Sequence, residues 1–226
     1  MMTMLQTEQD ERKDVRIVVG NVILKGHLVI PHDADSMIIF SYGSGRRSFC
    51  QSHNFVAAEL NKKKMATLLI DLLTPAEGFS YENRFNIDVL KERLVKVTAW
   101  VRSLPGLERF SIGYFGTGTG AASALRAAAE LKDEIAAVVL RSGRPDLAEP
   151  DLYKVESPVL LLVGSLDSDL IQLNHLAFER LHSEKKLEFV EDATHLFEEP
   201  GKLEEAMKQT TEWFEKYLVN NKLIHA

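Results

Sequence analysis

Along the chain, short and nearly unbroken apolar runs alternate with longer stretches in which apolar residues recur every three or four positions. Runs 15–19 and 22–30 are separated by Gly20-Asn21, a two-residue turn signal that predicts a β-hairpin. Runs 37–40, 65–70, 110–115, 137–140, 159–163 and 187–190 carry almost no polar residue. Strands covered on both faces of a parallel sheet have this composition, because both faces are removed from water. Ile87, Leu90, Leu94, Val97, Val101 and Leu104 predict a helix over 86–104, ended by Pro105-Gly106. A last helix starting near Pro200 turns Leu203, Met207, Phe214, Tyr217 and Leu218 inward and partly buries Trp213. The expected fold is α/β: a polar leader over 1–14, then one domain over 15–226. In that domain an N-terminal antiparallel hairpin feeds a mostly parallel sheet with helices on both faces.

Composition narrows the functions open to such a domain. The chain has 226 residues, 45% hydrophobic and 27% charged, with a formal net charge of −6. It therefore offers no basic face for nucleic acid or anionic lipid. Cys50 is the single cysteine, so there is no internal disulfide and no cysteine metal cluster. His27, His32, His53, His175, His182 and His225 show no ligand spacing, and neither a metal nor a cofactor is expected. No apolar run reaches the ~18 residues of a membrane span. The first residues lack the basic and apolar regions of a signal peptide, and the expected location is cytoplasmic.

The chemistry concentrates in residues 110–122, Phe-Ser-Ile-Gly-Tyr-Phe-Gly-Thr-Gly-Thr-Gly-Ala-Ala. An apolar strand runs through a glycine turn into the alanine-rich helix 121–131, whose small side chains permit close packing on a sheet. This is the layout of the G-x-S-x-G elbow that exposes a serine nucleophile on a strained strand-to-helix turn. Gly116 and Gly120 are its outer glycines, and Gly118 stands where the serine belongs.

The chain resembles the dienelactone hydrolase family of α/β-hydrolases. The resemblance rests on Gly-His-Leu-Val-Ile-Pro (26–31), Tyr-Gly-Ser-Gly (42–45), Ala-Thr-Leu-Leu-Ile-Asp-Leu-Leu-Thr (66–74) and Gly-Tyr-Phe-Gly (113–116). Further matches are Arg-Ser-Gly-Arg-Pro-Asp-Leu-Ala (141–148) and Thr-His-Leu-Phe-Glu-Glu-Pro-Gly (194–201), so that it covers about 15–218. It implies an α/β-hydrolase fold and a triad in the order nucleophile, acid, histidine, the last two falling on Asp167 and His195. It also implies an oxyanion site near Gly43, Ser44 and the N–H of Thr119, and an ester- or lactone-like small ligand. Two departures stand out. Position 118 is glycine rather than Ser or Cys, and Tyr42 replaces the usual histidine of the oxyanion loop.

Several readings follow. The chain is a pseudo-hydrolase that keeps Asp167, His195 and the oxyanion loop. Alternatively, it is a weak or redirected ester or lactone hydrolase, in which water, Thr117 or Thr119 attacks. A deliberately replaced serine is a third account. The elbow glycines also resemble those of the N-myc downstream-regulated group, hydrolase-fold proteins without a working triad. Finally, Gly116-x-Gly118-x-x-Ala121 satisfies a dinucleotide fingerprint, with Arg141 placed to receive a 2′-phosphate. Asp169 and Asp146 compete with Asp167 for the acid role. Arg141 and Arg144 read as structural partners of nearby acids or as a pocket wall, Glu198 and Glu199 as helix-dipole acids, and 62–64 as a solvated helix end. The oligomeric state is not legible.

Overall fold

The structure is a computed structural model and describes residues 10–42 and 51–219. Gly43, Ser44, Cys50 and His225 lie outside the described residues.

Eight strands form one sheet in the order β1-β2-β4-β3-β5-β6-β7-β8. β1 (Glu11–Val19) and β2 (Val22–Ile30) make the antiparallel hairpin, with Val19 opposite Val22 across the turn. Gly20 takes φ +60° there, at the position a type II′ hairpin reserves for glycine. β2 pairs antiparallel with β4 (Met65–Asp71), and all later pairings are parallel. β1 takes in residues 11–14, so the expected polar leader over 1–14 is corrected at its end. Residues 11–14 are charged because they lie on a solvated edge strand, where pairing with 27–30 holds the backbone.

β3 (Ser36–Tyr42), β5 (Ser111–Gly118), β6 (Ile135–Gly143) and β7 (Val159–Gly164) are wholly or largely buried. β8 (Lys185–Val190) closes the far edge. Alternate residues of β3 point to opposite cores. Met37 and Ile39 join the one built with α3 (Ile87–Arg102), α4 (Thr119–Leu131) and α5 (Ser168–Arg180), the short α2 being Tyr81–Phe85. Ile38, Phe40 and Tyr42 join the one built with α1 (Gln51–Lys62) and α6 (Lys202–Phe214). Helices thus cover both faces, and the fold is that of an α/β-hydrolase. α3 matches the expected helix closely, with the Asn86 side chain accepting from the Val89 N–H at 3.2 Å as its cap. The sequence reading singled out neither α1 as a whole nor α5.

From β3 the chain moves to β4 on one side, and it later returns to β5 on the other side. The connections leaving the carboxyl ends of the paired strands β3 and β5 therefore run to opposite sides, and in open α/β sheets this switch point is where ligands bind.

Candidate functional site

The elbow lies at that switch point. Gly118 ends β5 and precedes α4 with φ +55° and ψ −132°, a backbone conformation that side-chain-bearing residues rarely adopt. Its outer glycines are there for contact. A Cβ on Gly120 would run into the Ser41 carbonyl at the end of β3, and one on Gly116 would lie 2.8 Å from the Ala121 Cα. These approaches draw α4 against the sheet, helped by the buried Ser41–Ser123 hydroxyl pair at 2.8 Å. The spacing that also fits a dinucleotide fingerprint is thus accounted for by the packing of the turn. At Gly118 itself a Cβ would meet no atom of the described residues within 4 Å.

Asp167 and His195 come together across 28 residues of sequence: Asp167 Oδ2 lies 2.9 Å from His195 Nδ1. A carboxylate accepts and does not donate, so the proton of this bond belongs on Nδ1, which in a neutral ring leaves the lone pair on Nε2. Asp167 Oδ1 also caps α5, accepting from the Leu170 N–H at 3.4 Å, which holds the carboxylate in place. The Asp167 side chain is 16% exposed and that of His195 is 54% exposed. An open hollow of about 400 Å³ lies at this pair, lined also by Leu166, Ser168, Asp169 and Leu170. On the other side of the histidine loop, Phe55, Phe197, Pro200 and Leu203 help to line a cleft of about 600 Å³.

The histidine loop is tied to the elbow through β6. Gly118 is paired with Gly143, and its carbonyl accepts from the Arg144 N–H at 2.9 Å. The adjacent Ser142 Oγ donates to the His195 carbonyl at 2.7 Å. On the opposite side of Gly143, the buried Asn174 amide donates to its carbonyl at 3.2 Å. Neither Ser142 nor Asn174 was singled out from the sequence, since nothing local marks a residue whose partner lies 31 or 53 positions away. A cap signal in Asp167-Ser168-Asp169-Leu170 could have exposed the second role of Asp167.

The competing candidates fall elsewhere. Asp146 is held in a bidentate pair with Arg144 at 2.7 and 2.8 Å, and Asp169 is exposed in the first turn of α5. Arg141 is buried with its guanidinium 5.8 Å from the ring centres of both Phe115 and Phe197. The Tyr42 ring is buried and stacked on His53 at 4.0 Å, in the core shared with α1. Thr117 is a β5 residue paired with Tyr42 and Arg141, and Thr119 opens α4. Glu198 and Glu199 precede α6 rather than entering its first turn, where Glu204 and Glu205 stand. Glu199 instead accepts from the Thr194 hydroxyl, which holds its carboxyl below the usual range. Among the described residues no His, Cys, Asp and Glu group could hold a metal ion, and no helix is long and apolar enough to cross a membrane.

Compared with solved structures, the chain is 42% identical to a dienelactone hydrolase from Anabaena variabilis, covering 93% of this chain and 99% of that one with a TM-score of 0.88. The chain belongs to the dienelactone hydrolase family. The esterase Est1E from Butyrivibrio proteoclasticus shares the fold at 17% identity and a TM-score of 0.77, over 90% of this chain and 98% of its own. No family model matches the chain. Two curated Mycobacterium tuberculosis proteins, from strains CDC 1551 / Oshkosh and H37Rv, are each 41% identical over 206 residues, 91% of this chain. Their names give them, provisionally, as phosphoribosyl transferases. This dienelactone hydrolase-family chain spans about half the length of those relatives, 46% of each.

Proposed function

We propose that this family member binds a small ester- or lactone-like ligand and does not pass through an acyl-enzyme. The observation that carries this reading is Gly118. It occupies the turn from which a hydroxyl would attack and has none, while the Asp167–His195 hydrogen bond is kept. In a triad the imidazole removes the nucleophile's proton as the carbonyl is attacked, and the carboxylate holds the imidazole tautomer. Position 118 supplies neither the proton nor the lone pair. Thr117 and Thr119 do not replace it, because the turn that projects residue 118 outward directs its neighbours elsewhere.

What remains suits holding a polarised carbonyl. Among the described residues no side chain caps the first turn of α4, and its leading amides suit an oxygen bearing partial negative charge. In this reading the ligand is a small molecule, and a net charge of −6 disfavours nucleic acid. The phosphoribosyl transfer named for the mycobacterial relatives belongs, in the same reading, to the part of those chains that this one does not span.

A fluorophosphonate probe and p-nitrophenyl acetate test the proposal. The wild-type chain is expected to remain unlabelled and to hydrolyse the ester near background. Gly118→Ser is expected to gain labelling at residue 118 together with hydrolysis. Covalent labelling of the wild type, or its turnover above about 1 s⁻¹, the lower end of ordinary enzyme rates, overturns it.

A further inference from the structure

Two hollows meet between α1 and α6. The cleft of about 600 Å³ described above lies where both helices begin, and Leu196 and Phe197, the residues after His195, form part of its wall. A second hollow of about 400 Å³ lies farther along the same pair, with Phe55, Glu59 and Lys63 on one side and Met207 and Thr211 on the other. Phe55 and Glu204 line both hollows. Lys63, just past the end of α1, pairs with Glu215, just past the end of α6, at 3.0 Å. The two helices therefore run in the same direction. The groove between them leads away from the histidine loop to the Lys63–Glu215 pair, about 12 Å by the helical rise from Phe55 to Lys63.

We propose that this groove holds the hydrocarbon chain of the ligand, which makes the ligand a neutral, medium-chain fatty ester. The proposal rests on the small-ligand reading given above and names the class of that ligand.

Three observations select such an occupant. Phe55 and Leu203 are only partly buried against the core, and Leu196 is 46% exposed. Apolar surface left partly in water gains from a hydrocarbon cover in proportion to the area removed from water. Met207 adds an unbranched, adaptable side chain to the wall, suited to a chain that is itself flexible.

The charges along the second hollow already have partners. Glu59 accepts from Lys62 at 2.6 Å, and Lys63 is held by Glu215. A charged occupant would compete with these pairs, whereas a hydrocarbon leaves them intact.

The groove is also continuous with the site. α1 joins the parallel strands β3 and β4, and α6 follows β8, so both helices start at the carboxyl edge of the sheet, where Gly118 ends β5. A chain lying between them extends from the edge that carries the Asp167–His195 pair.

The test is calorimetric titration of the full chain with methyl acetate, methyl butanoate, methyl hexanoate and methyl octanoate. Affinity is expected to rise by about two- to fourfold for each CH2 added, the gain of removing a methylene wholly or partly from water. Leu203→Glu and Phe55→Ala, checked for folding by thermal melting, should each flatten that rise and bring methyl octanoate towards the affinity of methyl acetate. A flat series in the wild type, with the esters bound, overturns the inference and leaves the proposed function standing. A rise retained in both folded variants puts the chain elsewhere and also overturns it. If only one variant folds, that one decides, and the wild-type series decides alone if neither does. Self-association of the wild type in sedimentation, abolished by Leu203→Glu, makes a second copy the occupant and overturns the inference. Failure of every ester to bind removes this inference and the proposed function together.

Discussion

Ser142 is the one residue of β6 that slips out of register beside the elbow, and its hydroxyl binds the carbonyl of His195 at 2.7 Å. Thr117 pairs with Arg141 and Gly118 with Gly143, so Ser142 has no partner residue across the ladder and takes φ +46°. A bulge of this kind re-aims a side chain. Here it aims the hydroxyl at the loop that carries the histidine, and elbow and histidine are thereby hung from the end of the same strand.

Ser142→Ala is expected to lower stability by about 1–2 kcal/mol through the lost hydrogen bond, the positive φ being common to both residues. Ser142→Gly removes the same bond but relaxes the backbone, and should be the more stable of the two. Introduced with Gly118→Ser, both should reduce the gained esterase activity, since the histidine loop loses its tie. Urea unfolding and initial rates report the two effects separately. Equal stability of the Ala and Gly variants would show that the bulge stores no strain.

The glycines of the elbow should separate by mechanism. Gly118→Ala meets no atom of the described residues within 4 Å and carries the conformational penalty of φ +55°, about 1–3 kcal/mol. Gly120→Ala drives its methyl into the Ser41 backbone, which cannot move without opening β3 from α4, and should prevent stable folding. Thermal melts of the two variants decide this, and a Gly120→Ala as stable as Gly118→Ala would contradict the close approach.

The segment after β4 should be sensitive to acid. Arg93 donates to both carboxylate oxygens of Glu77, at 2.7 and 2.8 Å, and also to the Leu72 carbonyl at 2.8 Å. Chiefly through the Arg93 hydrogen bond, the Glu77 carboxyl falls from its ordinary 4.5 to about 2. Because the folded value lies below the unfolded one, the stabilisation is complete above pH 4.5 and is lost as pH falls from there towards 2. Glu77→Gln should cost about 1–2 kcal/mol at pH 7, discounted for partial solvent screening, and the gap from wild type should close over that acid range. Denaturant midpoints at pH 7, 4 and 3 measure it, and a gap that does not narrow with acid removes the assignment.

A buried hydroxyl pair gives a second test of polar burial. The Tyr114 hydroxyl lies 2.6 Å from Thr98 Oγ1, which itself donates to the Leu94 carbonyl at 2.9 Å, so the tyrosine is the donor. Burial pushes the Tyr114 phenol well above its usual pKa. Thr98→Val strands that phenol without an acceptor and should cost about 1–3 kcal/mol. Tyr114→Phe together with Thr98→Val should cost less than the sum of the two single changes, as a double-mutant cycle would record.

By itself the sequence determined those features whose causes lie within a few residues. Two-residue turn chemistry at Gly20-Asn21, unbroken apolar runs, the three-and-four spacing of α3 and the glycine-framed turn at 116–120 are local, and each sets its own backbone. Family resemblance carried the pairing of Asp167 with His195, which spacing alone could not supply. Only the tertiary structure decided that residues 11–14 are strand, because there sheet pairing overrides a polar composition. It alone placed Tyr42 against His53 and Ser142 on the histidine loop. Such contacts depend on which strands neighbour one another at the switch point between β3 and β5. That order follows from the packing of both faces of the sheet at once, and no short stretch of sequence contains it.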